Sequence, residues 1–195
     1  MGIFLRNGAG FFPVHGAIPH RFPTPHRYLF TPPPAPVQQM TTRIAYFSWK
    51  GHTEKTATAL AKLLDAELVR IEPAGDIRVA GGAMKAFFGM KSQIKPAKSD
   101  LAGIDTLVVA SPVWAGKVPP YVNAYLDAVT GGNGKPFHVL IEMGGRGDQS
   151  AIAVVRKALG RKGMTFVSSA STIEKDVDAG AFMGTLEMFA AGIRK

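Results

Sequence analysis

The chain has 195 residues, with 23 Lys+Arg against 14 Asp+Glu, a formal net charge of +9 and no cysteine. Disulfides, thiolate metal sites and cysteine nucleophiles are therefore excluded. No apolar run reaches the roughly 18 residues that a membrane-spanning helix needs, and the composition reads as one cytoplasmic domain with an appended segment.

That segment comes first. Residues 1–39 hold eight of the fourteen prolines, three arginines, three histidines and no acid. Such a stretch makes neither a continuous helix nor a central strand. It is expected to be a disordered extension of a domain spanning 40–195, or an upstream region preceding a true start at Met40. A targeting peptide is the rival reading, but the prolines spoil the amphipathic helix that an import signal needs.

From Met40 onward, strand and helix patterns alternate five times. A strand over about 43–48, with Ile44, Ala45, Tyr46 and Phe47, stops at Ser48-Trp49-Lys50-Gly51-His52-Thr53. A helix over about 53–65 follows, striped by Thr56, Ala57, Leu60, Ala61 and Leu64. The second strand, about 67–72, is closed by Pro73. Gly81 and Gly82 open a helical stretch with Met84, Phe87, Phe88 and Met90. Across it Lys85, Lys91, Lys95 and Lys98 run without an acid, which reads as a solvated helix face or, alternatively, a docking surface for an acidic partner or anionic membrane.

Residues 104–110 form a near-continuous apolar run, the mark of a strand buried on both faces of a parallel sheet, and end in Ser111-Pro112-Val113-Trp114-Ala115-Gly116. Pro119 and Pro120 suit a helix start, with Val122, Tyr125, Leu126 and Val129 as its buried stripe. Gly131 to Gly134 turn the chain into a fourth strand, Phe137 to Ile141, inside which His138 reads as a packed core or edge histidine. Glu142-Met143-Gly144-Gly145-Arg146-Gly147-Asp148 follows, with Glu142 as a strand-end acid and Asp148 as a helix cap. A helix carrying Ile152, Val154, Val155 and Leu159, a strand from Thr165 to Ser171 and a last helix from Ala181 to Ile193 complete the pattern. Right-handed crossovers between parallel strands give a doubly wound α/β sheet.

Three loops then leave three strand ends on one edge of the sheet, where ligands of open α/β folds bind. The first gathers free backbone N–H groups and the positive end of a helix dipole, a cradle for phosphate, with Gly51 letting the backbone approach and Ser48 and Thr53 as donors, Thr53 also as the helix cap. Other chemistry is missing: there is no nucleotide loop of the Gly-x4-Gly-Lys-Ser/Thr type, no HExxH and no GxSxG. Gly145-Arg146-Gly147-Asp148-Gln149-Ser150 imitates a dinucleotide fingerprint but follows the fourth strand rather than the first. No nucleic-acid motif is recognised, and nucleic acid is not expected as a partner.

On these loops the chain resembles the flavodoxin family, in particular its short flavodoxin-like FMN-binding proteins. In the family's phosphate loop, Thr/Ser-x-Thr-Gly-x-Thr, Ser48, Gly51 and Thr53 match while Lys50 replaces a hydroxyl residue; Trp114 falls where an aromatic residue stacks on the flavin ring. The resemblance covers about residues 42–195 and implies a five-stranded parallel sheet of order 2-1-3-4-5 with FMN as cofactor. It implies that Ser48, Trp49, Lys50, Gly51, His52 and Thr53 surround the phosphate, and that Pro112, Val113, Trp114, Ala115 and Gly116 with Gly144, Gly145 and Arg146 surround the ring. The implied function is electron carriage between redox partners; the alternatives are an FMN-dependent NAD(P)H:quinone oxidoreductase and a non-redox binding module. One departure is charge: residues 40–195 hold 20 Lys+Arg against 14 Asp+Glu, a net of +6, whereas flavodoxins are acidic around the flavin.

Overall fold

The computed structural model describes residues 40–75 and 90–194. The first 39 residues and the helix expected around Met84, Phe87 and Phe88, with Lys85, lie outside them. Five strands, β1 (Thr42–Tyr46), β2 (Glu67–Arg70), β3 (Thr106–Pro112), β4 (Pro136–Met143) and β5 (Thr165–Ile173), form one all-parallel sheet in the order β2-β1-β3-β4-β5. This is the predicted doubly wound order. The sequence pattern of β3 explains its central place: every residue from Thr106 to Pro112 is buried.

Helices cover both faces. On one side α1 (His52–Leu64) and α5 (Met183–Ile193) pack Leu60, Leu64, Leu186 and Phe189 over Ile44, Val108 and Leu140. On the other, α2 (Pro120–Ala128) and α3 (Asp148–Gly160) pack Val122, Leu126, Ile152 and Val155 over Ala45, Val109, Val139 and Ile141. Alternation along β4 thus sends His138, Leu140 and Glu142 to the α1 face and Phe137, Val139 and Ile141 to the other. His138 is a core histidine as expected: its Nδ1 meets Ser168 Oγ at 2.8 Å and burial pushes its pKa down.

Several local readings need correction. The fifth strand runs past Ser171 to Ile173, and a short helix α4 (Glu174–Asp178) that the pattern did not show follows it; the last helix stands as expected, beginning at Met183 rather than Ala181. The described end of the second crossover, 90–100, holds no helix. Its lysines are not a bare solvated face: Lys91 pairs with Asp127, Lys95 with Glu72 and Lys98 with Glu67 across neighbouring elements, so the acids are distant in sequence and close in space. Among the described residues no helix is long and apolar enough to cross a membrane.

Candidate functional site

At the carboxyl edge of β1, β3 and β4 lies a cleft of about 350 Å³, lined by Ser48, Trp49, Lys50, His52, Thr53, Pro112, Val113, Trp114, Glu142, Met143, Gly144 and Glu174. The three loops singled out from sequence converge here. Gly51, Ala115 and Gly116 belong to these loops without lining the cleft, and Gly145 and Arg146 line an adjoining depression that shares Val113 and Gly144 with it.

The β1 loop is built by a backbone reversal. Gly51 is the N-cap of α1 at φ 94°, a left-handed conformation that L residues avoid, and no side chain caps the helix. Thr53 is therefore not the cap, as the sequence suggested, but the second residue of the helix. Ser48 Oγ accepts the Gly51 N–H at 3.1 Å, which folds the loop back and leaves the first-turn N–H groups of α1 without intrahelical partners. An uncapped helix start of this kind suits an anion.

The β3 loop is a tight reversal closed by Trp114 N–H to Lys117 O at 2.8 Å and Lys117 N–H to Trp114 O at 3.0 Å. Ala115 and Gly116 take φ of 49° and 73°, so the reversal holds a non-glycine residue in left-handed geometry. The β4 loop packs directly on it: a Cβ on Gly147 would lie 2.9 Å from Val113 Cγ1 and 3.2 Å from Gly116 Cα. Gly147, at φ 101°, caps α3, which makes Asp148 its first residue rather than the expected cap. The Asp148 carboxylate instead accepts from Ser171 Oγ at 3.1 Å.

Two tryptophans form the aromatic wall and differ in exposure. Trp49 is 43% exposed; Trp114 is 9% exposed and belongs to the core, with Phe47, Trp49 and Tyr121 standing nearly perpendicular to it at centroid distances of 5.7, 6.0 and 6.3 Å.

The charged residues hold the part that sequence reasoning missed. His52 faces two carboxylates of α4, Glu174 Oε1 at 3.2 Å from Nδ1 and Asp178 Oδ1 at 2.9 Å from Nε2. Lys50 lies 3.6 Å from Glu174. Glu142, 5% exposed, accepts a long 3.5 Å contact from Thr53 Oγ1 at Oε2, and its Oε1 has no partner. Burial pushes the Glu142 pKa up, and the nearby Glu174 pushes it further; His52, Thr53 and Lys50 oppose this. Nothing in the local pattern around Glu174 and Asp178 pointed to the cleft, because α4 follows a strand whose end was placed too early.

The Glu142 shift has a stability consequence. Its folded pKa lies above the ordinary 4.5, so the stability present below that value is lost as pH rises through the raised folded value. Glu142→Gln should remove this part of the pH dependence: in thermal melts of the flavin-free protein from pH 4.5 upward, the variant gains on wild type as pH rises. A constant offset between the two curves would mean that Glu142 does not titrate in this range.

A family model described as NADPH-dependent FMN reductase matches residues 46–178, and the chain belongs to this flavodoxin-like family of FMN-binding flavoproteins. No curated protein matches the sequence. Similar solved structures include a flavoprotein in complex with FMN from Lactobacillus acidophilus, at 18% identity and TM-score 0.57, covering 72% of this chain and 97% of that one. Flavodoxin 2 from Bacillus cereus aligns at 19% and 0.52, covering 78% and 96%. A flavodoxin, WrbA-like protein from Agrobacterium tumefaciens aligns at 17% and 0.51, covering 80% and 99%. Identities this low establish the fold alone.

The donor set of the cleft fits FMN. The uncapped start of α1 with the Ser48 and Thr53 hydroxyls offers donors for a phosphate, Lys50 adds a nearby cation and His52 an imidazole, and Trp49 and Trp114 offer aromatic surface for a ring.

Proposed function

We propose that the protein is an FMN-dependent oxidoreductase that draws reducing equivalents from NAD(P)H and passes them to a small acceptor such as a quinone or free flavin. The observation that carries this reading is the match to the NADPH-dependent FMN reductase family over residues 46–178, which contain all three loops around the cleft. The bound flavin would supply the hydride and electron chemistry. Ser48, Gly51 and Thr53, with Lys50 and His52, would hold the phosphate, and Trp49 and Trp114 would wall the ring. The backbone of Pro112 to Gly116 and of Gly144 to Arg146 would meet the ring's polar edge. The catalytic unit would begin at Met40; deleting residues 1–39 should leave melting temperature and FMN affinity unchanged, and loss of either would make the segment structural.

Steady-state NADPH oxidation by purified, FMN-loaded protein with a quinone acceptor tests the function. Turnover is expected without added protein. A pure electron carrier would turn over only with a separate reductase, and a protein that purifies without flavin absorbance and takes up no FMN would be a non-redox module.

Arg146 bears on the flavin's potential. Exposed beside Gly144 and Gly145, it has no ion pair with the described acids. A cation beside the ring would favour its reduced, anionic form by Coulomb attraction, moderated by the solvent around an exposed side chain. Arg146→Glu should therefore make the flavin potential more negative by several tens of millivolts, an effect that added salt reduces. A potential that does not move in potentiometric titration would put the arginine away from the ring and leave it as a surface for a partner.

A further inference from the structure

An anion cradle with a buried acid in it is a contradiction that protonation resolves. Thr53 joins the two: it is the second residue of α1, in the loop read as the phosphate cradle, and its hydroxyl reaches Glu142 Oε2 at 3.5 Å. The other oxygen, Oε1, is buried and faces no hydrogen-bond partner although Glu142 lines the cleft. The neighbouring strands bring no compensating cation. Pro112 of β3 and Thr172 of β5 stand opposite Glu142 in register, and the Thr172 hydroxyl is also buried without a partner.

The nearby lysines and the His52 ring have other partners. His52 lies between Glu174 and Asp178, Lys50 pairs with Glu174, and Lys55 lies 4.0 Å from Asp178. Glu174, from α4, adds a second negative charge. His52, Glu142 and Glu174 each offer an atom within 4.8 Å of the others, so a phosphate in this cradle meets two carboxylates at close range.

We propose that Glu142 binds the phosphate of FMN as a neutral carboxylic acid, donating its proton in a hydrogen bond, so that loading the cofactor takes up a proton from solvent. This rests on the FMN reading of the cleft. The proton adds to the Glu142 carboxylate, no covalent bond of FMN is made or broken, and an O–H donor replaces a like charge. Hydrogen bonds to an ionised acceptor are short and strong, which makes the acid a specificity element for the phosphorylated over the unphosphorylated flavin.

The test is calorimetric titration of the flavin-free full chain with FMN and with riboflavin at pH 8, in buffers of different ionisation enthalpy. At that pH free phosphate is fully charged, its second ionisation lying near 6. About one proton taken up per FMN is expected, with none for riboflavin, and the FMN dissociation constant should rise by up to tenfold per pH unit between pH 7 and 9. Glu142→Gln, whose amide donates without titrating, should bind FMN with no uptake and with a flat pH profile. FMN binding without proton uptake, the same uptake with riboflavin, or uptake that persists in Glu142→Gln would each overturn the role of Glu142. If that variant does not fold, absence of uptake in the wild type still overturns the proposal, and His52→Gln, which removes the titratable ring of the same cradle, should leave the uptake intact; uptake lost in His52→Gln would assign the proton to the histidine instead. Failure of both flavins to bind at any pH would overturn the FMN reading itself.

Discussion

Trp114→Ala should lower the stability of the protein by about 3–5 kcal/mol, the range for truncating a buried aromatic residue. At this chain length that corresponds to a fall in melting temperature on the order of 10 °C. The indole packs edge-on against Phe47 and Tyr121, which stack on each other at 5.1 Å, so its removal leaves a void beside an aromatic pair of the core. FMN affinity, measured well below the variant's melting point, should also weaken by on the order of 1–3 kcal/mol if the indole packs on the ring. Trp49→Ala is the matched control: exposed, it should cost little stability. A Trp114→Ala protein that melts as wild type would remove the residue from the core, and one that melts early but binds FMN normally would hand the ring face to Trp49.

Gly51→Val should abolish measurable FMN binding while leaving riboflavin binding, where present, less affected. No atom lies within 4 Å of an added Cβ, so the substitution meets no collision with the protein. Its penalty has two other sources. A β-branched residue at φ 94° is strained by on the order of 1–3 kcal/mol, and the new side chain occupies the space from which a phosphate would reach the α1 N–H groups. Gly51→Asn separates them, because asparagine tolerates the left-handed conformation; it should fold well and bind FMN with intermediate affinity. Unchanged FMN affinity in a folded Gly51→Val protein would place the phosphate elsewhere.

Features written into consecutive residues were legible in the sequence. The apolar run from Ile104 to Ala110 announces a strand covered on both sides, and the glycines and hydroxyls after Phe47 announce a tight entry into a helix. The strand order came from the resemblance of the three loops to the flavodoxin family, since right-handed crossovers alone allow other doubly wound orders. Caps were misplaced by one or two residues, since Gly51 and Gly147 achieve with a left-handed backbone what Thr53 and Asp148 were expected to do with side chains. The second layer of the cleft was hidden for a different reason. Glu142 was read as a strand-end acid, and only the packing of α1 shows it buried against Thr53 at the floor of the cleft. Glu174 and Asp178 belong to a helix too short for a periodic signature.

The contact between His52 and Asp178 spans 126 positions of the chain, and it sets an order on assembly. As the polypeptide leaves the ribosome, the β1 loop is available early, and the sheet cannot place β1 between its two neighbours until β3 has been synthesised. The far wall of the cleft arrives only with α4, near the carboxyl end. Parallel pairings of such sequence separation form late and slowly. The enclosed cleft is therefore completed only at the last stage of biogenesis, when α4 brings Glu174 and Asp178 against the β1 loop. Chains shortened before Glu174 would retain the strands and lose the enclosure.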